Sequence, residues 1–335
     1  MTKSIFILAA CFSLAACGGG GGGSSSGDSS GSATDPLVGA AVSLSTSNYE
    51  PASTEIVASA LDIQDSGQAP VQLLTGAQVT PMITPTMFLQ AKLPQLSQAL
   101  SRKAQLTGAI VEDSVPCDQG GSIGLAHDDQ NNNELLDTGD RVEFTLNGCK
   151  FDDWTFSGKM IMKLNRGSAD SDLLARDINV LATAQNFKAE FNAIQSVSNG
   201  SFTLDITSAG ANTLTVDIQS PNLTNQLTQA GKTKVFQYRD YRVTSTIGPV
   251  TASWSVKGKV NVPALGANTA TLETLSAFSG PLDQFATSGQ LLITVSNGGK
   301  MRVSASGTNN LKVELDLNSD GTYEESKPVP WIDVL

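Results

Sequence analysis

From about residue 107 to the C-terminus the chain alternates apolar and polar residues with a period of two, and this restricts the fold more than any other feature of it. Trp154, Phe156, Met160, Met162 and Leu164 alternate with Thr155, Ser157, Lys159 and Lys163. Val250, Ala252, Trp254, Val256, Val260 and Val262 alternate in the same way with Ser, Thr, Lys and Asn. Successive side chains of a strand point to opposite faces, so each run predicts a strand with one buried and one solvated side. Similar runs occupy 201–207, 213–219, 233–246, 290–296, 300–305 and 311–315. Asn147-Gly148, Asn199-Gly200, Ser208-Ala209-Gly210 and Asn297-Gly298-Gly299 supply residues that accept the positive φ of tight hairpins. The expectation is a mainly β fold, an antiparallel meander of about eleven strands built as a barrel, half-barrel or sandwich over residues 107–335. With 40% apolar and only 16% charged residues in 335, the composition fits a folded β-protein and not a disordered chain or a charge-laced helical one.

Residues 37–106 read as partly helical, with one or two helices. In 54–61, Ile56/Ala60 and Val57/Leu61 fall at i,i+4, with Ser53 or Thr54 as N-cap. In 87–104, Leu89, Leu93, Leu96 and Leu100 form one helical stripe around Pro94, which either kinks the helix or opens it. Such a stripe is expected to pack on the main core.

Residues 1–16 carry Lys3 and then an apolar run of about ten, half the length that a bilayer-spanning helix needs, and read as an export signal. The sequence Leu14-Ala15-Ala16-Cys17 resembles the lipobox of bacterial lipoproteins. That resemblance implies diacylglyceryl on Cys17, which becomes the new N-terminus, and Gly18 in the next position favours the outer membrane. Several acyl chains make an anchor that one chain would not. Residues 17–36 are a Gly/Ser-rich leash with a reach of about 25 Å. Its Gly23-Ser24-Ser25-Ser26-Gly27 matches a hydrolase pattern by accident, because no strand and helix flank it. Loss of Lys3 leaves 20 basic against 32 acidic side chains, a formal −12, which anionic headgroups would repel unless divalent cations intervene.

Two loops concentrate oxygen ligands. Asp129, Asn131, Asn133, Asp137 and Asp140 stand at positions 1, 3, 5, 9 and 12, with the Leu135 carbonyl at 7, the spacing of an EF-hand-type calcium loop. Glu134 replaces the usual Gly at position 6, and Asp140 the usual Glu at 12. The second loop, Asp316, Asn318, Asp320, Gly321, Thr322 and Glu324, keeps the Gly but has Lys327 at position 12, so Glu324 or Glu325 would have to close the sphere. It resembles the strand-flanked Asp-x-Asp-x-Asp-Gly calcium loops of surface and secreted proteins. Ca²⁺ takes six to eight hard oxygens and would relieve the repulsion among the carboxylates; the plainer alternative is a pair of Asx-rich turns. Cys117 and Cys149 bracket the first loop, and export to an oxidising compartment predicts their pairing as a disulfide.

Other chemistries find little support. The single His, His127, has no Ser elbow or second His to work with, which disfavours both a triad and zinc. Gly231-Lys232-Thr233 has Gln226 where a phosphate loop needs Gly. The acidic balance argues against nucleic acid as a partner. The chain as a whole resembles a group of proteobacterial lipoproteins that share the lipobox, an Asn-Tyr at the first helix (Asn48-Tyr49), a Cys-flanked Asp/Asn loop, and an Asp-x-Asn-x-Asp-Gly-Thr-Tyr-Glu loop followed by Trp (Trp331). The resemblance implies export and a shared fold, and no activity. Two functions follow as expectations. The first is a non-catalytic, calcium-stabilised β-scaffold tethered to the outer membrane, with an envelope structural role or a surface partner. The second is a half-barrel carrier of lipid or another hydrophobic ligand in the periplasm, which requires an open apolar face near Met160 and Met162.

Overall fold

Alternation at this length demands partners on both sides of each strand, and the protein meets that demand with one antiparallel sheet. The computed structural model describes residues 40–65 and 111–334, apart from 118, 132, 134, 135, 152, 169–176, 209–212 and 283. The helix α1 (Tyr49–Asp65) precedes β1 (Val111–Pro116), β2 (Ser122–Asp128), β3 (Arg141–Phe151), β4 (Trp154–Arg166), β5 (Ile178–Phe191), β6 (Ile194–Ser208) and β7 (Leu214–Gln229). Then come β8 (Lys232–Ile247), β9 (Thr251–Asn261), β10 (Ala270–Pro281), β11 (Ser288–Val295), β12 (Lys300–Ser306), β13 (Asn310–Asp316) and β14 (Glu325–Pro330). Strand order equals sequence order, and β1 does not pair with β14, so the meander is an unclosed sheet of fourteen strands, not a barrel. The expected second helix at 87–104, the signal at 1–16 and the linker at 17–36 lie outside the described residues.

One face of the sheet is apolar, as the alternation requires. Met162, Ala182 and Phe202 stand opposite one another on β4, β5 and β6, all buried. Along this row a small residue stands between two large ones, which lets side chains interdigitate at interior density. The buried side chains from α1 to Val334 form one contiguous cluster that includes Trp254, with Trp154 packed at its margin. Val250, expected inside a strand, stands exposed in the turn before β9.

The larger correction concerns two Asn-Gly pairs. Asn147-Gly148 and Asn199-Gly200 do not turn hairpins: they lie inside β3 and β6, beside breaks in register between Leu146 and Cys149 and between Ala184 and Phe187. Further shifts at Ser157/Lys159, Arg239/Arg242 and Glu273/Phe278 extend the line of bulges toward β10. Glycine is required on this line. A Cβ on Gly158 would lie 2.0 Å from the Asn186 carbonyl oxygen, and one on Gly258 would lie 2.6 Å from that of Asp240. Both facing residues hold φ near +47°, a conformation that Asn and Asp tolerate best among residues with a Cβ. Bulges bend strands, and a line of them folds the whole sheet over. In a flat sheet β10 and β14 would be about 19 Å apart; here Phe278 on β10 and Trp331 just after β14 have ring centroids 6.2 Å apart.

The helix belongs to the same compact unit as the sheet, Leu37–Leu335. It begins at Tyr49, five residues before the expected start, with Pro51 accommodated in the first turn. Neither proposed cap acts as one, because Ser53 is buried inside the helix and its Oγ donates to the Glu50 carbonyl. Asn48 organises the entry: its Nδ2 donates to Ser43 O and its Oδ1 accepts from Ser45 N–H, each at 2.8 Å. Tyr49, Ala52, Ile56, Val57 and Ala60 face the core; large side chains among them contribute about 1.5–3 kcal/mol each when fully buried. Glu55 accepts from Lys234 Nζ on β8 at 2.8 Å and from Ala264 N–H at 2.7 Å. Glu50 pairs with Lys327 on β14 at 3.0 Å. The helix therefore ties strands six places apart in the meander.

Candidate metal centre

Strand β13 ends with its last residue, Asp316, fully buried. The next eight residues turn back into β14, and the turn is made from the acids and amides themselves. Gly321 N–H donates to Asp316 Oδ2 at 3.0 Å, and Thr322 N–H to Asp320 Oδ1 at 2.7 Å. Asp320 N–H donates to Asn318 Oδ1 at 2.9 Å, while Asn318 Nδ2 donates to Asp320 Oδ2 at 3.0 Å. Leu317 N–H donates to Glu324 Oε2 at 3.0 Å. Ser319 and Gly321 both adopt positive φ, the second with the freedom only glycine has. The Thr322 N–H holds the Asp320 carboxyl below its usual range.

These bonds leave the site incomplete in one respect. Carboxylate oxygens of Asp316, Asp320 and Glu324 all lie within 4.8 Å of one another, the one such acidic group among the described residues. Asp316 Oδ1 is buried and has no hydrogen-bond partner. Ca²⁺ sits about 2.3–2.6 Å from its oxygens, so ligands on opposite sides of it are about 5 Å apart. The spacing of the three carboxylates fits that span. Asn318 and Thr322 belong to the same loop, but both are engaged with Asp320. Arg302, 14 residues before Asp316, braces the loop from β12: its guanidinium lies 4.1 Å from the Tyr323 ring centroid and donates to Glu314 at 2.7 Å. That contact holds the Glu314 carboxyl low against the opposing effect of burial. Spacing within the loop could not reveal the brace; the register of β12 on β13, which puts Arg302 opposite Glu314, does.

The first loop connects β2 to β3 at the opposite end of the sheet and is arranged differently. Asp140 is fully buried; its Oδ1 accepts from Gln130 N–H and its Oδ2 from Asp137 N–H, both at 2.9 Å. Asp129 Oδ1 accepts from Asn131 and Asn133 N–H at 3.2 and 3.4 Å. Asn131 and Asn133 turn their amide nitrogens, not their oxygens, toward the Asp137 carboxylate, at 2.9 and 2.5 Å. The acids and amides thus satisfy one another, as an Asx-rich turn does. Leu135, the expected carbonyl ligand, lies outside the described residues. The loop docks on β4 through Gly139 N–H to Leu164 O at 2.8 Å and Leu164 N–H to Asp140 O at 3.0 Å.

Cys117 and Cys149 are joined as a disulfide with Cα atoms 5.5 Å apart, within the normal range for such a bond. The bridge sits at the Ser122/Asn147 end of the β2–β3 pair, and the acidic loop sits beyond Asp128/Arg141 at the other. Six residues of strand, about 20 Å, separate them, so the bridge fixes the foot of the hairpin and not the loop. His127 is a buried residue of β2, with Nε2 3.6 Å from Asp140 Oδ2. Gly231, of the Gly-Lys-Thr sequence, follows Ala230 in the β7–β8 hairpin, both at positive φ. Cys17 lies outside the described residues. No family model, no curated protein and no solved structure matches this chain.

Proposed function

We propose that this protein is a non-catalytic, calcium-stabilised β-scaffold, carried on a lipid anchor at Cys17 at the outer membrane, with an envelope structural or surface-binding role. The observation that carries the reading is Asp316: a buried carboxylate with one oxygen unpartnered, facing two further carboxylates. A buried anion without a counter-charge is costly, and a hard divalent cation removes that cost while drawing on oxygens already spaced for it. The second loop is the primary site. In the first loop, Asp129 to Asp140, the buried Asp140 already has both carboxylate oxygens bonded to backbone N–H groups, so it lacks the unpartnered oxygen that marks Asp316.

Lipoprotein character rests on the Leu14-Ala15-Ala16-Cys17 resemblance, the Gly/Ser leash and the wider likeness to proteobacterial lipoproteins. Among the described residues no helix is long and apolar enough to cross a membrane. The carrier reading asks for an open apolar face at Met160 and Met162, and both are fully buried, so it has no observation in its favour. Calcium titration of the full-length protein, dialysed against chelator and followed by its melting temperature, tests the scaffold. A rise that saturates with calcium is expected, and identical melting with calcium and with chelator would overturn it. Membrane fractionation of Cys17→Ser against wild type tests the anchor: the variant is expected in the soluble fraction, and unchanged membrane association would refute lipidation.

A further inference from the structure

The inner face of the sheet is mostly apolar, but Ser196, Ser198 and Asn225 form a polar patch on it where β6 and β7 run side by side. Ser198 on β6 stands directly opposite Asn225 on β7, and Ser196 lies two residues along the same face. All three are 2% exposed or less. Ser196 Oγ, Ser198 Oγ and both Asn225 Oδ1 and Nδ2 have no hydrogen-bond partner. Their cross-strand neighbours, Phe187, Ala189, Leu227 and Phe236, offer no polar side-chain group.

Buried polar atoms left unpaired are rare because each forfeits its hydration without recompense. Four within one cross-strand patch form a set: two hydroxyls that both donate and accept, an amide that donates twice, and a carbonyl that accepts. No charged residue stands at the positions opposite them, so the patch suits a neutral occupant. Ser198 and Asn225 face each other at cross-strand distance without bonding to one another, so their polar groups are left for a third partner.

We infer that Ser196, Ser198 and Asn225 build a closed hydration site, in which ordered water bridges β6 and β7 beneath the apolar face. The inference is independent of calcium, since the patch shares no residue with either acidic loop. Water both donates and accepts, and buried water usually makes two to four hydrogen bonds, which this set of groups provides.

The test is a crystal structure of the full-length protein at a resolution that orders solvent, together with melting of Ser198→Ala and Ser196→Ala. Water within hydrogen-bond distance of the Asn225 amide and at least one of the two hydroxyls is expected, and each variant should melt a few degrees below wild type. Density too large for solvent would overturn the inference by replacing water with an organic ligand. A dry patch, or variants that melt at or above wild type, would overturn it by showing that the hydroxyls have nothing to lose. Both substitutions only remove an oxygen from a buried site, so the variants should fold and each result is readable.

Discussion

Replacing Asp316 by Asn separates a calcium cage from an acidic turn, because the two readings predict opposite signs. Asp316 Oδ2 is bonded to Gly321 N–H and Oδ1 is buried and unpartnered. Asn keeps the acceptor for Gly321 and replaces the unpartnered buried oxygen by an N–H₂ beside the acidic cluster of Asp320 and Glu324, to which a donor suits better than an anion. Relieving one buried unsatisfied polar atom is worth about 1–3 kcal/mol. For a chain of this size that corresponds to a rise of about 1.5 to 4 °C in the metal-free melting temperature. With calcium at about a hundred times its dissociation constant, the wild type gains about 2.7 kcal/mol by linkage, or about 4 °C, and Asp316→Asn gains little. Differential scanning calorimetry in chelator and in millimolar calcium reads both states. The order of stability should cross over: variant above wild type without calcium, wild type level with it or above it with calcium. A variant that is less stable than wild type by the same amount in both buffers would refute the reasoning, because Asp316 would then be only a turn residue.

Further outcomes follow from the fold. Gly158→Ala should cost more than about 3 kcal/mol, since the new Cβ meets the Asn186 carbonyl at 2.0 Å on backbone with φ +99°; urea unfolding against wild type measures it, and a shift within error would contradict the bulge line. Cys149→Ser should lower stability by about 3 to 4 kcal/mol, the chain-entropy cost of releasing a loop of 32 residues. Hydrogen exchange should show that loss as faster exchange at the foot of the β2–β3 pair, with the Asp129–Asp140 loop little changed. Asp140→Ala should destabilise equally with and without calcium, because its carboxylate holds Gln130 and Asp137 N–H in a buried site; a loss seen only in calcium would instead make the first loop a metal site.

What could be read from the chain was whatever its local periodicity encodes. The strands around Met160, Trp254, Val303 and Val313 follow from alternation alone, because a period of two has one physical meaning. Asn147-Gly148 and Asn199-Gly200 lie in bulges and not at hairpin corners for an equally physical reason. A hairpin corner and a bulge both ask for positive φ, and only the alternating residues beyond, paired with a neighbour far away in sequence, decide between them. How the open sheet curls over and how the helix docks on it depend on the same kind of distant pairing. The first rests on Phe278 meeting Trp331 and the second on Glu50 and Glu55 reaching Lys327 and Lys234, all contacts distant in sequence. In the two acidic loops the residue types and spacing were legible. The orientation of each amide was not, so a turn that satisfies itself and a turn that leaves Asp316 Oδ1 unpaired looked alike.

The direct measurement of the central claim is a crystal structure of the protein grown in millimolar calcium, inspected between Asp316 Oδ1, Asp320 and Glu324. The account predicts a peak heavier than water with oxygens at about 2.3–2.6 Å and six to eight of them in the sphere. A water at ordinary hydrogen-bond distance, or no peak at all, would contradict it and reduce the loop to a corner between β13 and β14.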